Sequence, residues 1–235
     1  MKNLLNKKNA CWLLLIAGSY GLISLLISAG VVNNVYLTVL MTIGINIILA
    51  ISLNLIIGVT GQFSLGHAGF MIIGAYCAGV AVKQISASLG GILTGMLIGI
   101  VISGLVALVV AIPTLRLRGD YLAIATLGFG EIIRIVILNM KITNGAAGLI
   151  LPKLVDWRII FAAVVLCTVI IINFCRSAQG RACISVREDE IAAEAMGINT
   201  TKYKIMAFVL GAMIASVAGA LYAGAFYVIK PEMFT

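Results

Sequence analysis

Charge is scarce in this chain. Only 10% of its 235 residues are charged, whereas a soluble domain of that length needs more charge to cover its outside. No stretch alternates polar and apolar residues over about ten positions, which excludes the strands of a membrane barrel. There is one histidine, and the five cysteines at 11, 77, 167, 175 and 183 show no CxxC or Cys/His ligand spacing. The sequence therefore gives no disulfide framework and no metal site, and small apolar packing is the expected role of the thiols, with Cys183 facing a reducing cytoplasm. A GxxxxGK[ST] string is also missing, so no P-loop cradle for nucleotide phosphates is present.

What is there is apolar: 62% hydrophobic residues, 25 glycines and a mean hydropathy of +1.17. Runs of about 20 apolar residues match helices crossing a hydrocarbon core of about 30 Å. The fold class expected is all-α, a polytopic transmembrane helical bundle forming a single domain over 1–235. Seven candidate spans are read at 11–29, 35–57, 64–82, 90–112, 121–138, 157–175 and 205–228. Small residues recur at every fourth position in Gly91, Gly95 and Gly99 and in Gly211, Ala215 and Gly219. That spacing stacks them on one helix face for close packing, within the bundle or against a second membrane subunit.

Lys and Arg set the orientation. On alternate sides of the seven-span arrangement, Lys2, Lys7, Lys8, Arg116, Arg118 and five bases between 176 and 204 stand against Lys83, Lys141, Lys153, Arg158 and Lys230. The amino terminus and residues 176–204 are therefore expected in the cytoplasm. The first apolar run is longer than a signal peptide core and is read as an uncleaved anchor. The net charge of +8 serves topology and anionic lipid headgroups, and no nucleic acid is needed to explain it.

The dense polar island RSAQGRACISVREDEIAAEAMGINTTKYK at 176–204 interrupts this apolar chain. Its acids, Glu188, Asp189, Glu190 and Glu194, and its bases, Arg176, Arg181, Arg187, Lys202 and Lys204, cost at least about 2.5–3.5 kcal/mol each in hydrocarbon and must face water. Within it, DEIAAEAMGI reads as a short helix with Glu190 and Glu194 on one face and Gly197 as its stop. Such a slim helix fits a groove on a soluble partner; a solvated loop is the plainer alternative.

Three further features stand out. GQFSLGHAGF at 61–70 holds four glycines within a dozen residues when Gly58 is included, together with the single histidine, His67. It is either a tight cytoplasmic turn with a hydrogen-bonded His67 or a broken segment lining a polar path, since non-helical backbone at membrane depth requires protein or water around it. Glu131 and Arg134 stand at i and i+3 and are expected to neutralise one another, packed among helices or on a polar face. Asp120 is read as a helix cap behind Arg116 and Arg118, and the apolar piece at 149–151 is positioned to dip back toward the membrane.

These strings resemble the M-type membrane permease subunits of ABC importers for branched-chain amino acids. The likeness covers nearly the whole chain and rests on GQFSLGHAGFMIIGAY from Gly61, RLRGDYLAIATLGFGEIIRI from Arg116, TNGAAGL from Thr143 and EIAAEAMGINTTKYKIMAFVLGAMIASVAGALYAG from Glu190. The resemblance implies a bacterial inner-membrane protein that is not an enzyme and binds no cofactor. ATP would be used by two cytoplasmic ATPase subunits, beside an H-type permease subunit and a periplasmic or lipid-anchored substrate-binding protein. It further implies that Glu190, Ala192, Ala193, Glu194 and Gly197 dock the ATPase; Ser64, Gly66, His67, Glu131 and Arg134 are the residues expected in a translocation path if the broken segment and the charge pair line one. Two departures are visible: Ile191, rather than an acid, precedes the two alanines, and the chain stops at KPEMFT where family members continue, which implies a truncated sequence. Urea and short-amide permeases are similar in sequence, and an ion-coupled secondary transporter is the rival class, with His67 and Glu131 as its only candidates for coupling.

Overall fold

The computed structural model describes residues 7–30, 32–114, 117 and 119–234, with the side chains of 7–11 and 13 left aside. Arg116 and Arg118 lie outside the described residues. Among the described residues nine α-helices follow one another: α1 Lys7–Ser28, α2 Asn34–Asn54, α3 His67–Gln84, α4 Leu89–Thr114, α5 Asp120–Asn139, α6 Trp157–Arg176, α7 Ala178–Glu188, α8 Glu190–Ala195 and α9 Thr200–Ala225. A π-helical turn, Leu55–Val59, widens the end of α2. The all-α reading has one local exception, an antiparallel pair of two-residue strands, β1 Leu149–Ile150 and β2 Val228–Ile229.

Among the described residues five helices, rather than seven, are long and apolar enough to cross a membrane: α2 with its π turn, α4, α5, α6 and α9. Of the first expected span, Leu14–Ser28 is the described apolar part of α1. The third falls short for a local reason: its helix begins at His67 rather than at 64, and Lys83 and Gln84 sit in its last turn.

The centre of the bundle is the mutual packing of α3, α4 and α9, and small residues make it possible. A methyl group on Gly74 would strike the Ser216 carbonyl, and one on Gly219 would strike the Met71 carbonyl. On Gly95 it would lie 2.6 Å from the Cα of Ala78, and on Gly211 2.7 Å from Ile56. The every-fourth-residue pattern thus fixes helix contacts within this chain, with Gly211 serving α2 and Gly219 serving α3. Ser103 adds a buried interhelical bond, donating to the Ala212 carbonyl at 2.9 Å, a class of contact worth about 0.6 kcal/mol in membranes.

The outside is apolar too. Leu97, Val101, Leu105 and Val109 form an exposed stripe along α4 at four-residue spacing, the inversion of a soluble helix expected where lipid is the solvent. The piece at 149–151 does turn inward: Leu149 and Leu151 are buried, and Leu149 pairs with Ile229 across the strands.

Candidate functional site

The glycine-rich segment is broken, and it is not a tight turn. Residues 61–66 carry no helix, and their burial alternates, with Gln62, Ser64 and Gly66 inward and Phe63 and Leu65 outward. Alternation of period two is extended backbone, here with polar side chains inside and apolar ones outside. The Leu65 amide is satisfied by Thr126 Oγ1 on α5 at 3.0 Å. Thr126 is six residues into α5, so the Leu65 end of the segment lies about 9 Å along that helix from its start at 1.5 Å per residue. Just before α3 the chain runs close against α5: a Cβ on Gly66 would strike the Thr126 carbonyl oxygen, so a side chain has no room there.

His67 opens α3 and is buried. Its Nε2 lies 2.7 Å from Ser52 Oγ, and the Ser52 hydroxyl donates to the Leu49 carbonyl at 2.8 Å. Because that hydroxyl has one proton, Ser52 accepts from His67, which assigns the ring proton to Nε2. Nδ1, the Gln62 amide and Ser64 Oγ have no hydrogen-bond partner among the described residues.

Two cavities flank the start of α3. One, of about 470 Å³, is lined by His67, Asn46, Thr42, Met71 and Tyr222 among others, and the second, of about 320 Å³, by Gly66, Gly69, Glu131 and Arg134. Ala68 and Phe234 border both. Glu131 and Arg134 are paired as expected, the guanidinium Nε donating to both carboxylate oxygens at 3.0 and 2.9 Å. The structure thus gathers Gly66, Glu131 and Arg134 in one cavity and places His67 in its neighbour. Ser64 is buried beside them and lines neither.

The island folds into α7 and α8 at the end of the bundle from which α9 departs. Ser177 caps α7 by accepting from the Gly180 amide at 3.1 Å, and Asp189 caps α8 by accepting from Ile191 and Ala192 at 2.9 and 3.1 Å. Gly197 ends α8 as expected. It is left-handed at φ 84°, with Ile198 N–H bonded to the Ala193 carbonyl at 3.0 Å and Gly197 N–H to the Glu194 carbonyl at 2.9 Å, the Schellman pattern.

The two glutamates of α8 serve α9. Glu190 accepts from Lys204 Nζ at 2.6 Å and Glu194 from Thr200 Oγ1 at 2.7 Å, so α8 is clamped to the first two turns of α9. Ala193 is buried, while Ala192 and Gly197 are exposed. The free face instead presents two apolar side chains that sequence reasoning missed, Ile191 at 76% exposure and Met196 at 82%. The available signal was their apolarity inside an otherwise polar island.

Two expectations change. Asp120 is the first residue of α5 rather than its cap, which is Gly119, although an acid there still suits the positive end of the helix. Cys183 does not face open cytoplasm. It is fully buried, its thiol donating to the Tyr203 carbonyl at 3.6 Å, and burial followed by the neighbouring Cys175 pushes its pKa up to about 11. Such a thiol is inert.

Residues 35–235 match the protein family described as branched-chain amino acid transport system / permease component. Among curated proteins, the high-affinity branched-chain amino acid transport system permease protein LivM of Salmonella typhimurium is 35% identical over 74% of this chain and 49% of its own length. Its counterpart from Escherichia coli is 34% identical over the same shares. A shorter stretch, 37% of this chain, is 38% identical to the permease protein LivH of Salmonella typhimurium and covers 28% of it. The chain thus spans about half the length of the LivM relatives it matches. No solved structure matches it significantly.

Proposed function

This chain belongs to the branched-chain amino acid transport permease family, and from that premise we propose that it is one membrane-spanning subunit of an importer driven by ATP hydrolysis in other chains. The observation that carries the reading is the α8 knob. Two large apolar side chains, Ile191 and Met196, are exposed on a helix clamped to the root of α9, and exposed apolar groups among charged ones support a docking site. The occupant is a cytoplasmic ATPase subunit, whose movement the Glu190–Lys204 and Glu194–Thr200 contacts pass to α9.

The cargo is a branched-chain amino acid delivered by a separate binding protein, and a second permease of the LivH kind completes the path. Alternating access exposes the two cavities beside α3 to either side in turn. Ser64, Gly66, His67, Glu131 and Arg134 belong to that path, with the Glu131–Arg134 pair lowering the cost of charge at membrane depth. The protein lies in the bacterial plasma membrane with the amino terminus and α7–α8 in the cytoplasm.

Orientation has a direct test. Cys183 is too buried to report it, whereas position 196 is open. Expressed without the partner subunits that would cover α8, a Met196→Cys chain lacking its natural cysteines will react with an impermeant maleimide only after the cells are permeabilised. Equal labelling in intact cells places α8 outside and removes the ATPase from the reading.

A further inference from the structure

Arg187, the penultimate residue of α7, reaches across to the π turn at the end of α2. Its Nη1 donates to the Gly58 carbonyl at 2.6 Å, while its Nε and Nη2 bind the Glu188 carboxylate. The last carbonyls of a helix lack intrahelical donors and form its negative end, so a guanidinium is favoured there. Immediately beyond, Gly61 takes a left-handed φ of 69°, and a Cβ on it would lie 2.9 Å from Arg187 Cγ. Arg187 is therefore fitted to both sides of the point where α2 gives way to extended chain.

That extended chain leads to the candidate path. Between Gly61 and His67 the Gln62 amide, Ser64 Oγ and His67 Nδ1 are buried without hydrogen-bond partners among the described residues, whereas the backbone is held at its start by Gly61 and Gln62 N–H donating to the Ile57 and Ile56 carbonyls and at its far end by Leu65 N–H donating to Thr126. Buried polar groups in native folds are nearly always paired. A segment carrying several unpaired ones gains bonds by changing its arrangement, which suits a part that moves.

We propose that Arg187 is the positioning residue that carries motion of the α7–α8 unit to the broken segment at 61–66, and through it to the start of α3. The proposal rests on the reading of α8 as the ATPase-docking helix and adds a second route to the one through α9. The α9 route moves the helix that packs on α3, whereas Arg187 acts on the chain that enters α3.

The test uses the complete transporter in liposomes, carrying Ser64→Cys in a chain whose natural cysteines are replaced. Labelling of position 64 by a small thiol reagent is timed without nucleotide and after trapping with ATP and vanadate. With Arg187 present the two rates differ about tenfold, the size expected when a hydrogen bond to a charged group biases a two-state equilibrium. In Arg187→Ala the ATPase subunits remain attached and hydrolyse ATP, the difference between the rates collapses, and uptake falls by a similar factor. Arg187→Lys, which keeps a donor for Gly58 and loses the fork, restores part of both. A rate difference that persists in Arg187→Ala, or no difference with Arg187 present, overturns the proposal. So does loss of the ATPase subunits in both Arg187 variants, which makes Arg187 a docking residue. If no ATPase subunit accompanies the unaltered chain, the docking reading itself fails and takes this inference with it.

Discussion

A Gly219→Leu chain will not accumulate in the membrane. At Gly219 even a Cβ meets the Met71 carbonyl and approaches the Ala75 amide at 2.9 Å, and both are backbone atoms of α3 that no side-chain rotation can move aside. Adding four carbons forces α9 away from α3 at the contact that centres the bundle. Overpacking of this kind costs about 1–3 kcal/mol where side chains can yield, and more where only backbone can. Gly219→Ala is expected to reduce the amount of detergent-extracted, monodisperse protein several-fold, and Gly219→Leu to leave none. Fluorescence-detected size-exclusion of a tagged chain reads both; an unchanged peak for Gly219→Leu contradicts the packing described for α3 and α9.

The second large effect concerns partner binding rather than folding. Replacing Ile191 and Met196 together with Asp puts two charges on the exposed face of α8 without touching the Glu190–Lys204 or Glu194–Thr200 clamps. Both side chains are more than three-quarters exposed, so the folded chain is not destabilised by losing them, and surface changes of this kind lie within about 0.5 kcal/mol. At an interface, anchors of this size contribute about 2 kcal/mol each. Two together correspond to roughly a thousandfold in affinity. The expected result is a normally extracted permease from which the ATPase subunits are lost on purification; their retention at full stoichiometry excludes α8 as the docking helix.

How far the sequence could lead is visible in particular residues. The apolar runs give most of the helices because membrane spans declare themselves through length and composition, and the recurring glycines give the close contacts because spacing alone puts them on one face. Gly197 as a helix stop is equally local. Where the reading failed, the missing information was tertiary. That Thr126 of another helix lies against Gly66 and bonds the Leu65 amide is a tertiary fact that nothing in GQFSLGHAGF reports. The burial of Cys183 follows from α7 folding back onto α9, which a polar island does not announce. The grip of Arg187 on Gly58 joins residues far apart in the chain, and Lys204 claims Glu190 through a fold that hydropathy does not describe. The acids of α8 were legible as polar; their use inside the molecule was not.

In the function proposed, this chain is the membrane part of a transporter whose energy comes from ATP bound elsewhere and enters through α8. The most direct measurement is uptake of radiolabelled leucine into liposomes containing the full complex and its binding protein, with the ATPase sites accessible to added nucleotide. The account predicts uptake that requires hydrolysable ATP, is indifferent to collapse of proton and sodium gradients, and disappears when Ile191 and Met196 are both aspartate. Uptake that proceeds without ATP and stops when an ion gradient is collapsed would contradict it.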